Sequence, residues 1–98
     1  MVTEEFDITQ YLDNDEIIAE YLTAALEEED YAYFNIALGN VARARGLTQI
    51  ANETGLSRMG LYKSFSENGN PTLSSLQKVF AALNLKLTVA PASKPTVL

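Results

Sequence analysis

The sequence predicts an all-α domain, and three observations carry that reading. Apolar residues recur at helical spacing in successive stretches, as in Phe34, Ala37, Leu38, Val41 and Ala42. Those stretches are bounded by Asp13, Asp30, Thr48, Ser57 and Thr72 in front, and by Gly46, Gly55 and Asn84 behind. The first set are good helix caps and the second good helix terminators. Strict alternation occurs once only, where Leu85, Leu87 and Val89 interleave with Lys86 and Thr88. A chain of 98 residues makes one domain with a modest helical core, and 47% apolar content is enough for it to fold.

Residues 1–6 read as a loose terminus, and Asp7 caps a single turn, Ile8 to Leu12, a short N-terminal helical extension. Asp13 and Glu16 then have the spacing of a capping box for a helix from Asn14 to about Glu28. Its expected inner stripe is Ile17, Ile18, Tyr21, Leu22, Ala25 and Leu26. Glu27, Glu28, Glu29 and Asp30 follow. Acid is unfavourable at a helix C-terminus, so part of this run is expected to start the next helix, with Asp30 as its cap. That helix covers Tyr31 to Arg45 and stops at Gly46. Gly39 inside it costs roughly 1 kcal/mol against Ala and points to a close helix crossing.

Thr48 to Phe65 predicts two short helices joined by a tight turn. Thr48 is the expected cap of the first, with Ile50, Ala51 and Thr54 on one face and Gly55 as the left-handed end. Leu56 plugs the corner and Ser57 caps the second helix, which turns Leu61 and Phe65 inward. Ser57, Arg58, Met59, Tyr62 and Lys63 are left toward solvent. This is the layout of a helix-turn-helix, whose second helix enters the major groove of double-stranded DNA. Residues 66–71 form a loop, and Thr72 caps a last helix with Leu73, Leu76, Val79, Phe80 and Leu83 inward. Leu85 to Val89 then predict one short half-buried C-terminal strand, whose partner would have to come from a symmetry mate or another protein. The organisation expected is an acidic helical region, residues 1–46, a helix-turn-helix core, 47–90, folded as one with it, and a flexible tail, 91–98.

Composition excludes several function classes. There is no Cys and no His, so disulfides, thiolate metal sites and the commonest general base are absent. The five glycines are too dispersed for a phosphate loop, the carboxylates show no paired arrangement, and no nucleophile has an evident base. An enzyme, a metal site and a cofactor are therefore not expected. No apolar run has the length of a membrane span and the acidic start is unlike a signal peptide, which fits a cytoplasmic protein. The net charge of −6 at first argues against nucleic acid. However, residues 1–40 hold eleven Asp and Glu and no Lys or Arg, whereas residues 41–98 hold seven Lys and Arg against Glu53 and Glu67. An acidic half beside a basic half suggests two partners of opposite charge, the alternative being a solvated acidic surface that merely keeps the protein soluble.

The binding chemistry follows from residue type. Arg58 presents a bidentate fork to guanine or phosphate, and Lys63 suits phosphate as a point charge. Ser57 must cap its helix. Met59 and Tyr62 offer contacts to thymine methyls or sugar, or simply cover apolar surface. Thr48 and Gln49 open the first motif helix, placed to meet the DNA backbone together with its amide end. Gly60, unusual inside a helix, is read as allowing close approach to the duplex. Glu20, Glu27, Glu28 and Glu29 lack helix-start roles and are expected to face a basic protein partner.

The sequence GNPTLSSLQKVFAALNLKL, a Gly-Asn-Pro turn before a Thr-capped amphipathic helix, resembles the five-helix domains of the lambda-repressor superfamily. Across about residues 5–90 the chain resembles the addiction-module antidote family, small antitoxins with such a Cro/repressor-type domain. The resemblance rests on FDITQYLDNDEIIAEYLTAALEEED, ALGNVARARGLTQIANETGLSR, GLYKSFSENGNP and ALNLKL. It implies an antitoxin that neutralises a small basic toxin of the RelE/ParE-like fold and represses its own operon, binding operator DNA as a homodimer. Thr48, Gln49, Ser57, Arg58, Tyr62 and Lys63 take the DNA-facing positions in that picture. Met59 departs from it, since polar residues are usual there. A stand-alone repressor and a protein-interaction module without useful DNA affinity are the competing readings.

Overall fold

The computed structural model describes residues 14–92. It contains five helices: α1 (Asp15–Glu27), α2 (Tyr31–Arg45), α3 (Leu47–Thr54), α4 (Arg58–Ser64) and α5 (Leu73–Ala82). The all-α expectation holds. The expected turn at Ile8–Leu12 and most of the expected tail lie outside the described residues. α1 packs chiefly on α2, and α3 touches α2, α4 and α5.

Helix ends follow local chemistry, with two corrections. α1 is capped by Asn14, whose Oδ1 accepts the amides of Glu16 at 2.8 Å and Ile17 at 3.1 Å. The helix therefore starts a residue later than a cap at Asp13 requires, and no capping box forms, because Glu16 sits at the second helical position rather than the third. α2 starts as expected, with Asp30 Oδ1 accepting from the Tyr33 amide at 3.2 Å. Thr48 does not cap α3. Gly46 ends α2 and begins α3 at once, which puts Leu47 and Thr48 inside the first turn. Ser57 and Thr72 are the caps of α4 and α5, accepting from the amides of Gly60 and Ser75. Gly55 takes the left-handed conformation, φ 79°, and the Leu56 amide turns back to Thr54 Oγ1 at 3.1 Å.

The core draws on every helix: Ile18, Leu22 and Ala25 of α1, Phe34, Ala37, Leu38 and Val41 of α2, Ile50 of α3, Leu61 of α4, and Val79 and Phe80 of α5. Phe65 and Leu83, just beyond α4 and α5, complete it. The predicted stripes were too wide at their edges. Ile17 and Leu26 are substantially exposed, and Leu73 is 63% exposed rather than inward. Leu73 is the first residue of α5.

No strand occurs among the described residues, and Leu85–Val89 is irregular backbone. Asn84 adopts φ 62°, and the Leu85 amide donates to Phe80 O at 2.8 Å, so Leu85 packs on the core. Beyond it Leu87 is 40% exposed and Val89 99% exposed. A single segment without a neighbour to complete its hydrogen bonds does not form a strand.

Three polar ties connect elements distant in sequence. Asn35, buried on α2, donates through Nδ2 to Gly69 O at 2.9 Å and fastens the α4–α5 loop. Asn40 Nδ2 donates to Tyr21 Oη at 3.0 Å, across α1 and α2. Asp15 accepts from Arg45 at 2.6 Å and from Asn84 Nδ2 at 2.9 Å, which joins the start of α1 to the ends of α2 and α5. These hydrogen bonds, that from Asn84 foremost and then that from Arg45, hold the Asp15 carboxyl below its usual value of 3.8.

Two outcomes are expected. Leu61 is 1% exposed, so Leu61→Ala should lower the unfolding free energy by about 2–5 kcal/mol, read from denaturant midpoints. Because the carboxyl of Asp15 is depressed in the folded state, its contribution is present above 3.8 and fades as pH falls below that value. Asp15→Asn should therefore have a lower thermal midpoint than the parent at neutral pH, and the difference should shrink in acid. A difference independent of pH would show that the carboxylate charge contributes nothing.

Candidate functional site

The rotation of α4 is set by its two anchors. Leu61 and Phe65 are 1% and 2% exposed, one turn apart on the core face. Their burial leaves Arg58, Met59, Tyr62 and Lys63 on the outer face, all exposed. Met59 at 62% and Tyr62 at 59% exposure are unusually open for apolar side chains of this size. Arg58, Met59 and Tyr62 line one shallow depression together with Leu47, the first residue of α3. Leu47 was not among the residues expected there. It entered the site because α3 starts two residues earlier than a Thr48 cap allows.

Thr48 and Gln49 are exposed in the first turn of α3. Gln49 is held along its own helix, donating through Nε2 to Glu53 Oε2 at 3.1 Å. Gly46 offers no side-chain cap, so among the described residues no side-chain cap hydrogen bond reaches the leading amides of α3. Ser57 spends its hydroxyl on the Gly60 amide at 2.8 Å. Gly60 has a local reason to lack a side chain, since a Cβ there would come within 3.0 Å of that capping Ser57 Oγ.

The other arginines are engaged elsewhere. Arg43 donates to Asn40 Oδ1, and Arg45 forms the ion pair with Asp15. The cationic outer face of α4 thus consists of Arg58 and Lys63.

The acidic residues occupy a separate surface. Glu20 is exposed on α1, Glu27 is its last residue and Glu28 its C-cap. Only Asp30 begins the next helix, so Glu27 and Glu28 face the unfavourable end of the α1 dipole. Glu29 takes φ 58°, a left-handed conformation that a Gly or Asn adopts with less strain. No signal in the sequence marked that turn. Among the described residues no helix is long and apolar enough to cross a membrane.

Residues 2–91 match the family described as "Probable addiction module antidote protein". The chain belongs to this family. A protein of Haemophilus influenzae, described only as an uncharacterized protein, is 44% identical over 86 residues, covering 88% of this chain and 89% of the relative. No solved structure matches. Membership in the antidote family gives the chain an antitoxin role in an addiction module and implies a toxin protein as partner. The expected kinship is thereby established for residues 2–91, which include the acidic α1 and its turn as well as the α3–α4 pair.

Proposed function

We propose that this antidote neutralises a small basic toxin through its acidic surface and represses its own operon by binding double-stranded operator DNA through α3 and α4. It acts as a non-enzymatic cytoplasmic regulator, without cofactor. The observation that carries the DNA half is the outer face of α4. Arg58, Met59, Tyr62 and Lys63 are exposed together, beside the uncapped start of α3. In a helix-turn-helix the second helix lies in the major groove, with its first residues on base edges. Arg58 at the first position of α4 is suited to guanine, and Lys63 at its end to phosphate. The amide end of α3, with Thr48 and Gln49, meets a backbone phosphate. A homodimer reads two half-sites related by the two-fold axis. Ser57 serves by shaping α4 rather than by touching DNA.

The toxin half rests on family membership and on the charge division. The exposed Glu20, Glu27, Glu28 and Glu29 present a one-signed surface with no Lys or Arg among residues 1–40. Such a surface accelerates encounter with a basic partner more than it sets final affinity.

Arg58→Ala should weaken operator binding by about 1–3 kcal/mol and relax selection at one base pair. Lys63→Ala should weaken binding evenly across sequences and lower the salt slope by about 1. Anisotropy titrations on the DNA upstream of the gene test both, and an affinity indifferent to both substitutions sinks the DNA assignment. Replacing Glu27, Glu28 and Glu29 together by Gln should slow toxin association severalfold at low ionic strength and much less at high salt. Stopped-flow rates that do not change would return the acidic run to a solvated surface.

A further inference from the structure

We infer that the groove between the α1–α2 turn and α5 is where the toxin inserts an apolar anchor flanked by Lys or Arg. This rests on the reading of the chain as a toxin-neutralising antidote and adds the site and the chemistry of the contact. Leu26, Tyr31, Phe34, Pro71 and Leu76 line the groove, and none of its lining residues is charged. Leu26 is 46% exposed and Tyr31 77% exposed, so their apolar surface is left to water. Leu73, one turn before Leu76 on α5, extends the same face at 63% exposure. The walls are firm. Phe34 is buried in the core, and the loop carrying Pro71 is tied to α2 by the Asn35–Gly69 hydrogen bond at 2.9 Å.

The rim decides what fits. Leu26 and Tyr31 are the residues on either side of Glu27, Glu28, Glu29 and Asp30, and all four acids are exposed. Glu67 adds an exposed carboxylate in the loop that forms the opposite wall. An apolar groove bordered by an acidic turn fits a partner with the complementary arrangement, an apolar or aromatic side chain beside cations. A second copy docked here about a two-fold axis would bring its own acidic turn against this one, which like-charge repulsion opposes. The anchor supplies affinity that exposed ion pairs cannot, because such pairs are individually weak. The groove shares no lining residue with the depression on α4, so toxin and DNA use different parts of the molecule.

The test uses the full chain and the purified protein encoded by the adjacent reading frame. Tyr31→Ala and Leu26→Ala alter exposed side chains, and circular dichroism checks that both fold. Each should weaken binding by about tenfold or more, chiefly through faster dissociation. Met59→Ala, on the α4 face, should leave toxin affinity unchanged. If the parent chain does not bind the adjacent-frame protein, the neutralisation reading and this assignment fall together. If the parent binds and both groove variants bind equally tightly, the groove assignment alone falls. If Tyr31→Ala abolishes self-association in sedimentation while toxin affinity is kept, the groove joins copies of this chain and the assignment is overturned.

Discussion

The near burial of α2 governs the rest of the structure. Phe34, Asn35, Ala37, Leu38, Gly39, Val41 and Ala42 are all buried, so this helix meets neighbours on most of its circumference. Its small residues set how near those neighbours come. A Cβ added at Gly39 would collide with the carbonyl of Phe65, at the end of α4. That contact fixes the C-terminal end of α4 against α2, while Leu61 and Phe65 fix its rotation. The glycine gives up about 1 kcal/mol of helix propensity in return for the close crossing. The orientation of Arg58, Tyr62 and Lys63 toward solvent is thus a consequence of packing on the opposite side of the same short helix.

Polar groups reinforce this arrangement where apolar packing is thin. Asn35 secures the loop before α5, and Asp15 gathers the ends of α2 and α5 onto the start of α1. Asp15 is exposed, so solvent screens the pairing and its value lies in fixing relative position more than in large stabilisation. Arg45 is committed there, its charge paired with Asp15, while the exposed Arg43 is held along its own helix by Asn40. The charge division of the sequence becomes spatial: Arg58 and Lys63 on α4, and the carboxylates of α1 and its turn elsewhere.

The turn between α1 and α2 runs against local preference in two ways. Acids lie at the unfavourable end of α1, and Glu29 holds a left-handed backbone that glycine would accept more readily. Neither feature helps the isolated helix hairpin. Both are consistent with a turn whose composition answers to a partner rather than to folding, which is where local rules are expected to be broken.

The sequence by itself determined the helical class, the family resemblance, and the helix boundaries set by a side chain acting on nearby amides, as at Asp30, Ser57, Thr72 and Gly55. It also determined the buried faces of α2 and α4, because their apolar spacing admits one inward side. Tertiary structure decided the rest. Leu73 fits the inward periodicity of α5 yet lies 63% exposed, since none of the described residues covers it. Leu85 to Val89 alternates like a strand, but among the described residues no neighbour completes its ladder. Gly46, at φ 105°, ends one helix and also begins the next, and that choice displaced Thr48 as a cap and put Leu47 beside Arg58. Asp15 finds Asn84 across 69 residues, and the groove at Tyr31 is walled by a loop 35 to 40 residues further on. Side chains that act within one helical turn can be read locally; contacts between distant segments depend on how all five helices pack at once.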